Sequence, residues 1–476
     1  MKRKNLEIWN QYGEHLIPVM PFMDNVIERS EGSYLIDVEG NRILDLAAGQ
    51  FCTILGHNHP AVVQAVVDEL QNNLHLGCQY VTEGILKAAR MVSEITPGDL
   101  NNIIFLSTGS EANEFAMRVA KACQQRNGMI GFDRGYYGIS LATRSLSAIS
   151  AGSGHVDFTP KSPETHHLIA PDTRSGDGQR ELESLNTSIK LIGDYAESVA
   201  AIVVETVLSA GGMIFPSAEY MQALRQYADD IGALLIVDEA QTGFGRCGEW
   251  FDCTNLGVTP DILVFSKTSG NGFPSSGVAI SDRLKTKLVN RNFYHLSSHQ
   301  NDALTAAAVS AVIRTIRDDG YLDRAKEQGA YFIERLNDLA ARHGHLTNVR
   351  GRGLMIAFDL DPRLGTGSVV PNGLTLFVLA CKNRGVHVTY TYYEQSIRIL
   401  PAISILREEI DFAIEVFDTV LSELAEGHID YGDVEQKNKV IQSMLSKGKV
   451  ARKLHRIWET SPSYWFAKLG KRMKTG

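Results

Sequence analysis

The two residues of this sequence best suited to chemistry are Asp238 and Lys267, which stand 29 positions apart. Short apolar runs, 233–237 and 262–265, lead up to them. These runs are too short for helices, are rich in Leu, Ile and Val, and have Gly or Pro nearby, which is typical of buried strands. Because ligands of open α/β sheets bind outside the carboxyl ends of the strands, we expect the acid and the amine to meet there.

An acid and an amine in one crevice suit pyridoxal 5'-phosphate (PLP). A lysine forms a Schiff base with the PLP aldehyde, and a carboxylate keeps the pyridine nitrogen protonated, so that the ring accepts electrons. Once freed by substrate, Lys267 would act as a general base, provided that burial and nearby positive charge lower its pKa. The alternatives are a surface lysine at a strand end and an aspartate in a structural ion pair.

The run from Asp238 to Arg246 (DEAQTGFGR), with Ser266-Lys267 downstream, resembles the class III aminotransferases of PLP fold type I. The similarity extends from about residue 15 to about residue 425. Gly49-Gln50 and the run 205–212 are most similar to the 2,2-dialkylglycine decarboxylase branch of that family. The resemblance implies an α/β fold, with a large domain around a mostly parallel seven-stranded sheet and a smaller α+β domain. It also implies a homodimer or tetramer with the active site at the subunit interface.

The resemblance further implies which residues bind the cofactor. From the residues alone, 107–113 joins a strand to a helix whose first N–H groups could face a phosphate, an ordinary capped helix start being the alternative. The implied roles are Schiff base (Lys267), pyridine partner (Asp238), O3′ partner (Gln241), phosphate ligands (Gly109, Ser110 and, from the neighbouring subunit, Ser298) and ring stacking (Tyr136). Glu205 is either an anchor that supports these residues or simply an acid at a strand end, and the alternative for the tyrosine pair 136–137 is packing.

On the substrate side, Arg398 alternates with apolar residues as on a strand, and its guanidinium could hold a carboxylate through two hydrogen bonds. Tyr137 occupies a substrate-facing position that is usually histidine. Gln50 matches the decarboxylase position, where a glutamine holds the carboxylate perpendicular to the conjugated plane and so favours loss of carbon dioxide. Ser298 and Asp302 match side-chain ligands of an alkali ion in that branch, whereas Cys78 replaces a serine there.

The order of elements supports this fold. Strand-like runs at 103–106, 129–132, 201–204, 234–237 and 262–265 alternate with helical patterns, which indicates βαβ units. We predict an N-terminal segment (1–55) that joins the small domain, a large PLP-binding domain (56–310), a C-terminal small domain (311–430) and a basic helical tail (431–476). Gly243–Gly248 satisfies G-x-G-x-x-G, but no helical pattern opens there, which argues against a dinucleotide site.

The distribution of charge along the sequence indicates which classes of binding partner to expect. The net charge is −8, yet residues 437–476 hold eleven Lys and Arg against one acid, Glu459. An acidic body with a basic tail argues against a nucleic-acid enzyme. The tail could dock a partner or a membrane surface, clasp an oligomer, or form a solvated helical appendage. Six scattered cysteines and no membrane-length apolar run lead us to expect a cytoplasmic protein.

The predicted function is transfer of an amino group from an amino acid or amine to a keto acid, accompanied by decarboxylation if Gln50 acts as described. Two alternatives are a PLP-dependent racemase or lyase on the same scaffold and a non-catalytic PLP-fold binding protein. Ala210 stands where related racemases have an acid, which argues against the former, and intact Lys267, Asp238 and Arg398 argue against the latter.

Overall fold

The computed structural model describes residues 3–17, 22–23, 25–147, 164–174, 176–361, 364, 373–391 and 396–427. The basic tail and most of the Pro/Gly-rich loop 361–373 lie outside these residues. Within the described part, no helix has both the length and the hydropathy needed to cross a membrane.

Three sheets form the framework. Their strands are β1 (Ile27–Glu31), β2 (Tyr34–Asp37), β3 (Arg42–Asp45), β4 (Asn102–Leu106), β5 (Gly128–Phe132), β6 (Thr165–Leu168), β7 (Val199–Glu205), β8 (Leu234–Asp238), β9 (Ile262–Ser266), β10 (Ser276–Ile280), β11 (Leu346–Arg352), β12 (Met355–Leu360), β13 (Val386–His387), β14 (Thr389–Tyr390) and β15 (Ser396–Ile399). The large sheet has the order β4-β10-β9-β8-β7-β5-β6, and the two smaller sheets have the orders β1-β2-β3-β13 and β11-β12-β15-β14.

Twelve helices longer than one turn surround the sheets in the described residues. They are α1 (Arg3–Tyr12), α2 (Pro60–Asn72), α3 (Glu83–Ser93), α4 (Gly109–Gln124), α5 (Leu141–Leu146), α6 (Gly178–Ile192), α7 (Ala218–Asp230), α8 (Asp282–Asn290), α9 (Ala303–Asp318), α10 (Tyr321–Arg342), α11 (Gly373–Asn383) and α12 (Arg407–Glu426). Between these helices lie single helical turns at Ala48–Phe51 and Asp252–Asn255. There are also 3₁₀ turns at Gly13–His15, Gly193–Ser198 and Lys267–Gly270.

The large sheet is buried on both faces, which explains why its strands are continuous apolar runs. In β8, Leu235 and Val237 belong to one core cluster, whereas Leu234 and Ile236 belong to the cluster on the opposite face. Its strands are parallel except β10, which is antiparallel to both β4 and β9. Only nine residues separate β9 from β10, too few for a parallel crossover, so the chain must turn straight back. The predicted fold class and the mostly parallel seven-stranded sheet are confirmed.

The N-terminal segment meets the C-terminal part of the chain. Strand β3 pairs in parallel with β13, through Leu44 and Val386. The Leu46 carbonyl also accepts the backbone N–H of Leu400, just beyond β15. These contacts agree with the predicted return of the N-terminal segment to the small domain, although the predicted domain boundaries remain predictions.

Candidate active site

The carboxyl ends of β7, β8 and β9 reach one edge of the large sheet. Glu205 and Asp238 are direct register partners there, and Lys267 follows β9 at the same edge. A cavity of about 340 Å³ lies over this edge. The predicted site residues that line it are Gly109, Ser110, Tyr136, Tyr137, Glu205, Asp238, Gln241 and Lys267.

Asp238 is a buried carboxylate held by two hydrogen bonds. Asn113 Nδ2 donates to its Oδ2 at 2.6 Å, and the Ala240 N–H donates to its Oδ1 at 2.9 Å. Burial raises the pKa of Asp238, against the opposing effects of the Asn113 bond and the Lys267 charge. A further cation at the exposed end of the carboxylate would relieve this cost.

Lys267 begins the 3₁₀ turn after β9 and has φ +46°, in the left-handed region that non-glycine residues rarely adopt. Such strain costs on the order of 1–3 kcal/mol and is typical of functional positions. Burial lowers the pKa of Lys267; Asp238 opposes this effect and the Arg398 charge adds to it. Its ε-amine is therefore more readily deprotonated than that of a surface lysine, as the sequence required of a general base.

Glu205 supports the loop that carries the predicted stacking residue. Its Oε1 accepts the backbone N–H of Tyr136 at 2.9 Å. Burial, followed by repulsion from Asp238, raises the pKa of Glu205 to about 8. The predicted anchoring role of Glu205 remains a prediction, and a pKa of about 8 leaves its carboxyl group mostly protonated near neutral pH.

The amino terminus of α4 forms a cradle at one end of the cavity. Thr108 caps the helix by accepting the Glu111 N–H at 3.2 Å, so in the described part of the chain this hydroxyl does not serve the preceding N–H groups of Gly109 and Ser110, which can bind another acceptor. A Cβ on Gly109 would lie 2.9 Å from Ser266 Oγ, so only glycine lets the helix start approach β9 this closely. The Ser110 hydroxyl accepts the Ile139 N–H at 3.0 Å.

The two tyrosines after β5 have different surroundings. Tyr136 is half-buried and lines the cavity. Tyr137 is only 1% exposed, its hydroxyl accepts the Phe132 N–H at 3.1 Å, and burial raises its pKa well above the ordinary value. Its hydroxyl is thus engaged in holding the loop, while its backbone carbonyl accepts from Asn113 at 3.0 Å.

Arg398 and Gln50 do not line the cavity of the single chain but lie close to it. The Arg398 guanidinium stacks over the Phe51 ring, with 4.8 Å from Cζ to the ring centroid, and its charge influences Lys267. The exposed Gln50 precedes Phe51 on an irregular turn in which Ala48, Gly49 and Phe51 all have positive φ.

Ser298 and Asp302 lie outside the cavity of their own chain. Ser298 is exposed. The Asp302 carboxylate is engaged by two imidazoles, His75 Nδ1 at 3.0 Å and His299 Nδ1 at 2.5 Å. The expected roles of Ser298 towards a neighbouring subunit's phosphate and of both residues towards an alkali ion remain predictions.

Sequence reasoning missed several residues that build the site. Asn113 joins Asp238 to the Tyr137 carbonyl; its signal was an amide inside a helix, where asparagine is unfavourable without a specific bond. Cys52 lines the cavity, without any motif to mark it. Asp45 and His57 hold the turn that carries Gln50, and the available signal was an aspartate four positions before Gly49.

The residues present fit PLP. Asp238 offers a buried anion to the pyridine nitrogen, and the α4 terminus offers N–H groups to the phosphate. The buried Gln241 Oε1 has no hydrogen-bond partner among the described residues, so that amide still needs a polar partner at the cavity. Gly243–Gly248, in contrast, forms turns followed by only the single helical turn Asp252–Asn255, which no dinucleotide site would use.

Comparisons with known proteins agree. The family model for class-III aminotransferases matches residues 19–421. An uncharacterized aminotransferase of Schizosaccharomyces pombe is 32% identical over 87% of this chain and 94% of its own length. An acetylornithine aminotransferase of Methanosarcina acetivorans is 30% identical over 83% and 91%, respectively. The taurine:2-oxoglutarate aminotransferase of Bifidobacterium kashiwanohense, solved with PLP and glutamate, has a similar fold, with a TM-score of 0.80, 22% identity and coverage of 90% and 99%.

Proposed function

Because this chain belongs to the class III aminotransferases, which depend on PLP, we propose that it moves the amino group of a carboxylate-bearing amino acid to a keto acid at the cavity between Asp238 and Lys267. The observation that carries the proposal is the convergence of three features on one cavity. A buried carboxylate, a lysine with a lowered pKa and a helix amino terminus all line it.

When bound, PLP would withdraw electrons from the bonds at the donor's α-carbon. Asp238 would hold the positive charge of the pyridine nitrogen, which is the cation that its buried carboxylate lacks. Asn113 fixes the direction of that carboxylate through the 2.6 Å bond to Oδ2. The first N–H groups of α4, at Gly109 and Ser110, would bind the phosphate, where the helix dipole favours an anion.

Lys267 would hold the aldehyde carbon and then, as a free amine, carry a proton away from the donor's α-carbon. Both tasks need a neutral ε-amine for part of the cycle. Burial and the Arg398 charge lower the pKa of Lys267 and thereby favour that form relative to a surface lysine, whereas Asp238 opposes the effect.

Arg398 would bind the donor's carboxylate and so orient its α-carbon over Lys267. The guanidinium is 7% exposed and rests on the Phe51 ring, which fixes its plane. A planar fork held in this way can donate two parallel hydrogen bonds to one carboxylate. This role favours amino acids over simple amines as donors.

The decisive experiment reconstitutes the protein with PLP and follows cofactor absorbance while single amino acids are added. We expect a spectral change with some carboxylate-bearing donors and its reversal by a keto acid. Borohydride should fix the cofactor to Lys267, and Lys267→Ala should abolish both signals. Lys326→Ala, at a surface lysine paired with Glu249, serves as the matched control. Labelling of a different lysine, or an inert spectrum with every donor, would contradict the proposal.

A decarboxylating transamination is the second candidate. Its support is the place of Gln50 in the chain, one residue before the Phe51 that lies under Arg398, on a turn held in an unusual backbone conformation. From there the amide could contact a carboxylate that Arg398 does not hold. The test is release of labelled carbon dioxide from 2-aminoisobutyrate or a productive donor. Amino transfer without gas evolution would leave only the first candidate.

We also propose that a second copy of the chain completes the site. Large apolar side chains are exposed on segments near those that build the cavity: Leu74 (68%), Tyr80 (70%), Ile139 (73%), Tyr294 (71%) and Leu296 (60%). Apolar exposure of this kind is typical of a surface that another protein covers. Ser298 follows two of these residues and is exposed on its own chain, so its hydroxyl is available to a neighbour's cavity.

A further inference from the structure

Outside the cavity, three side chains with metal-binding atoms converge. His75 lies between α2 and α3, and His299 and Asp302 lie just before α9. The two imidazole Nδ1 atoms and a carboxylate oxygen all lie within 4.8 Å of one another. The rings of His75 and His299 are also adjacent, with centroids 4.8 Å apart. Segments more than 200 residues apart in the chain thus bring two nitrogens and a carboxylate to one point.

The position of Asp302 is a second, independent observation. It is the N-cap residue of the 16-residue helix α9, yet its side chain makes no capping hydrogen bond. An aspartate at this position ordinarily accepts an N–H of the first turn, which stabilises the helix. Instead, one carboxylate oxygen faces His75 and the other faces His299. The carboxylate is therefore directed towards the imidazoles at the expense of the helix.

We propose that His75, His299 and Asp302 form a binding site for one divalent transition-metal ion, such as Zn²⁺. Imidazole nitrogen is a preferred ligand of Zn²⁺, Cu²⁺ and Ni²⁺, whereas alkali ions favour sites made of oxygen atoms alone. Three protein ligands leave a fourth position for water or another small ligand, which matches a tetrahedral site. A metal ion would lie among these atoms in place of the direct imidazole–carboxylate contacts.

The bound ion would fasten the segment before α9 to the segment between α2 and α3. The former segment already touches the phosphate cradle, because Ser297 Oγ donates to Glu111 Oε1 at 2.7 Å. Glu111 Oε2 in turn accepts the Ser107 N–H at 3.1 Å. The ion would thus stabilise the support of the cradle from outside, without contacting any reacting group.

The test is a calorimetric titration of the PLP-loaded protein, freed of metal by chelator and desalting, with ZnCl₂. We expect one Zn²⁺ per chain. His75→Ala and His299→Ala should each weaken binding on the order of 100-fold. His166→Ala is the matched control, because His166 in β6 is a half-buried imidazole that stacks on Tyr195. This variant should bind Zn²⁺ with the affinity of the unchanged protein. Retention of the cofactor absorbance shows that each variant is folded.

The visible absorption spectrum of bound Co²⁺ reports the type and geometry of its ligands. Co²⁺ should bind with the visible bands of a tetrahedral nitrogen–oxygen site, and Asp302→Asn should abolish these bands. Equal Zn²⁺ affinity in His299→Ala would overturn the proposal, as would binding only to thiols or to the cofactor phosphate. Stabilisation by K⁺ without any Zn²⁺ binding would also overturn it, in favour of an alkali ion. Because aminotransferase activity is not the readout, this outcome is independent of the proposed function.

Discussion

Two buried carboxyl groups side by side, both with a raised pKa, are the most unusual electrostatic feature among the individual residues. Glu205 and Asp238 end neighbouring strands and face the same cavity. Only one of them accepts a hydrogen bond from a side-chain amide, that of Asn113. This difference, together with burial, directs the negative charge to Asp238, where the pyridine nitrogen needs it, and keeps Glu205 neutral as the support of Tyr136.

The raised pKa of Glu205 predicts a stability effect in the cofactor-free protein. Folding favours the protonated form, so its contribution is complete below the ordinary pKa of 4.5 and is lost as pH rises towards about 8. Glu205→Gln keeps the oxygen that accepts the Tyr136 N–H but cannot ionise. The stability of Glu205→Gln relative to the unchanged protein should therefore increase by about 1.4 kcal/mol per pH unit across this window.

Urea unfolding of both proteins at several pH values measures this slope. Glu327→Gln, at an exposed side chain of α10, is the control and should show little pH-dependent difference. A constant offset between the Glu205→Gln and unchanged curves would mean that Glu205 is ionised in the folded protein.

Among the elements, the irregular turn Ala48–Phe51 depends on a buried anion. Asp45 accepts hydrogen bonds from the Ala47 N–H at 3.0 Å and the Gly49 N–H at 2.6 Å, and its Oδ2 lies 2.9 Å from His57 Nε2. Burial alone would raise the pKa of Asp45, but the His57 bond, the His387 charge and the Gly49 N–H together lower it. These bonds offset the backbone strain of the turn, so Asp45 is a positioning residue for Gln50 and Phe51.

We expect Asp45→Asn to raise KM for the amino-acid donor about tenfold while affecting kcat and PLP affinity less. The amide places an N–H against backbone donors and loses hydrogen bonds worth about 1–3 kcal/mol, so the Phe51 support of Arg398 shifts. Asp37→Asn is the matched control, because Asp37 is also buried and accepts N–H groups of a turn, far from the cavity. An equal KM in both variants would assign Asp45 a purely structural role.

Gly138, in the segment after β5, allows this segment to approach the start of α4 closely. Gly138 has φ +135°, and a Cβ there would lie 2.5 Å from Ser110 Oγ and 2.9 Å from Ser110 Cα. Gly138→Ala should displace the start of α4 and weaken PLP binding by about tenfold or more, as expected for one or two lost hydrogen bonds. Gly40 also has a positive φ, +82°, but open space surrounds it. Gly40→Ala is therefore the control and should leave PLP affinity unchanged. Equilibrium dialysis of PLP measures both.

The sequence predicted those elements whose burial leaves a periodic signature. The runs at 201–204, 234–237 and 262–265 are strands because both faces are covered. Strand β6, with the sequence Thr-His-His-Leu at the sheet edge, has no such pattern. Strand β10 is short and contains small residues, and its antiparallel direction follows only from the length of its connection.

The site was predictable to the extent that strand ends determine it. Asp238, Glu205 and Lys267 follow from three strand termini, and Gly109 and Ser110 follow from a helix start. The Asn113 bond to Asp238 joins residues 125 positions apart and depends on how distant segments pack, whereas Asp45 bonds to N–H groups only two and four positions on, which is a local turn signal. The metal-ligand set illustrates the same limit, since His75 and His299 become neighbours only after the sheet has formed.

For the whole molecule, the central question is whether one chain contains a complete site. Arg398, Asp238 and Lys267 belong to a single chain's cavity and its immediate surroundings, but Ser298 lies outside that cavity. If Ser298 binds the phosphate of a second copy, each site combines Lys267 of one chain with Ser298 of the other. The exposed apolar residues Leu74, Tyr80 and Leu296 would then be covered by that second copy.

This arrangement predicts complementation between two defective variants. Lys267→Ala should be inactive, and Ser298→Ala should bind PLP more weakly, so that it is inactive at limiting PLP. In a mixed dimer, the site formed by Lys267 of one chain and Ser298 of the other is intact. The mixed dimer can be purified after co-expression of the two variants with different affinity tags. At limiting PLP it should therefore show up to half of the normal activity per dimer. If Ser298 instead acted on its own chain, both sites of the mixed dimer would remain defective and no activity would return.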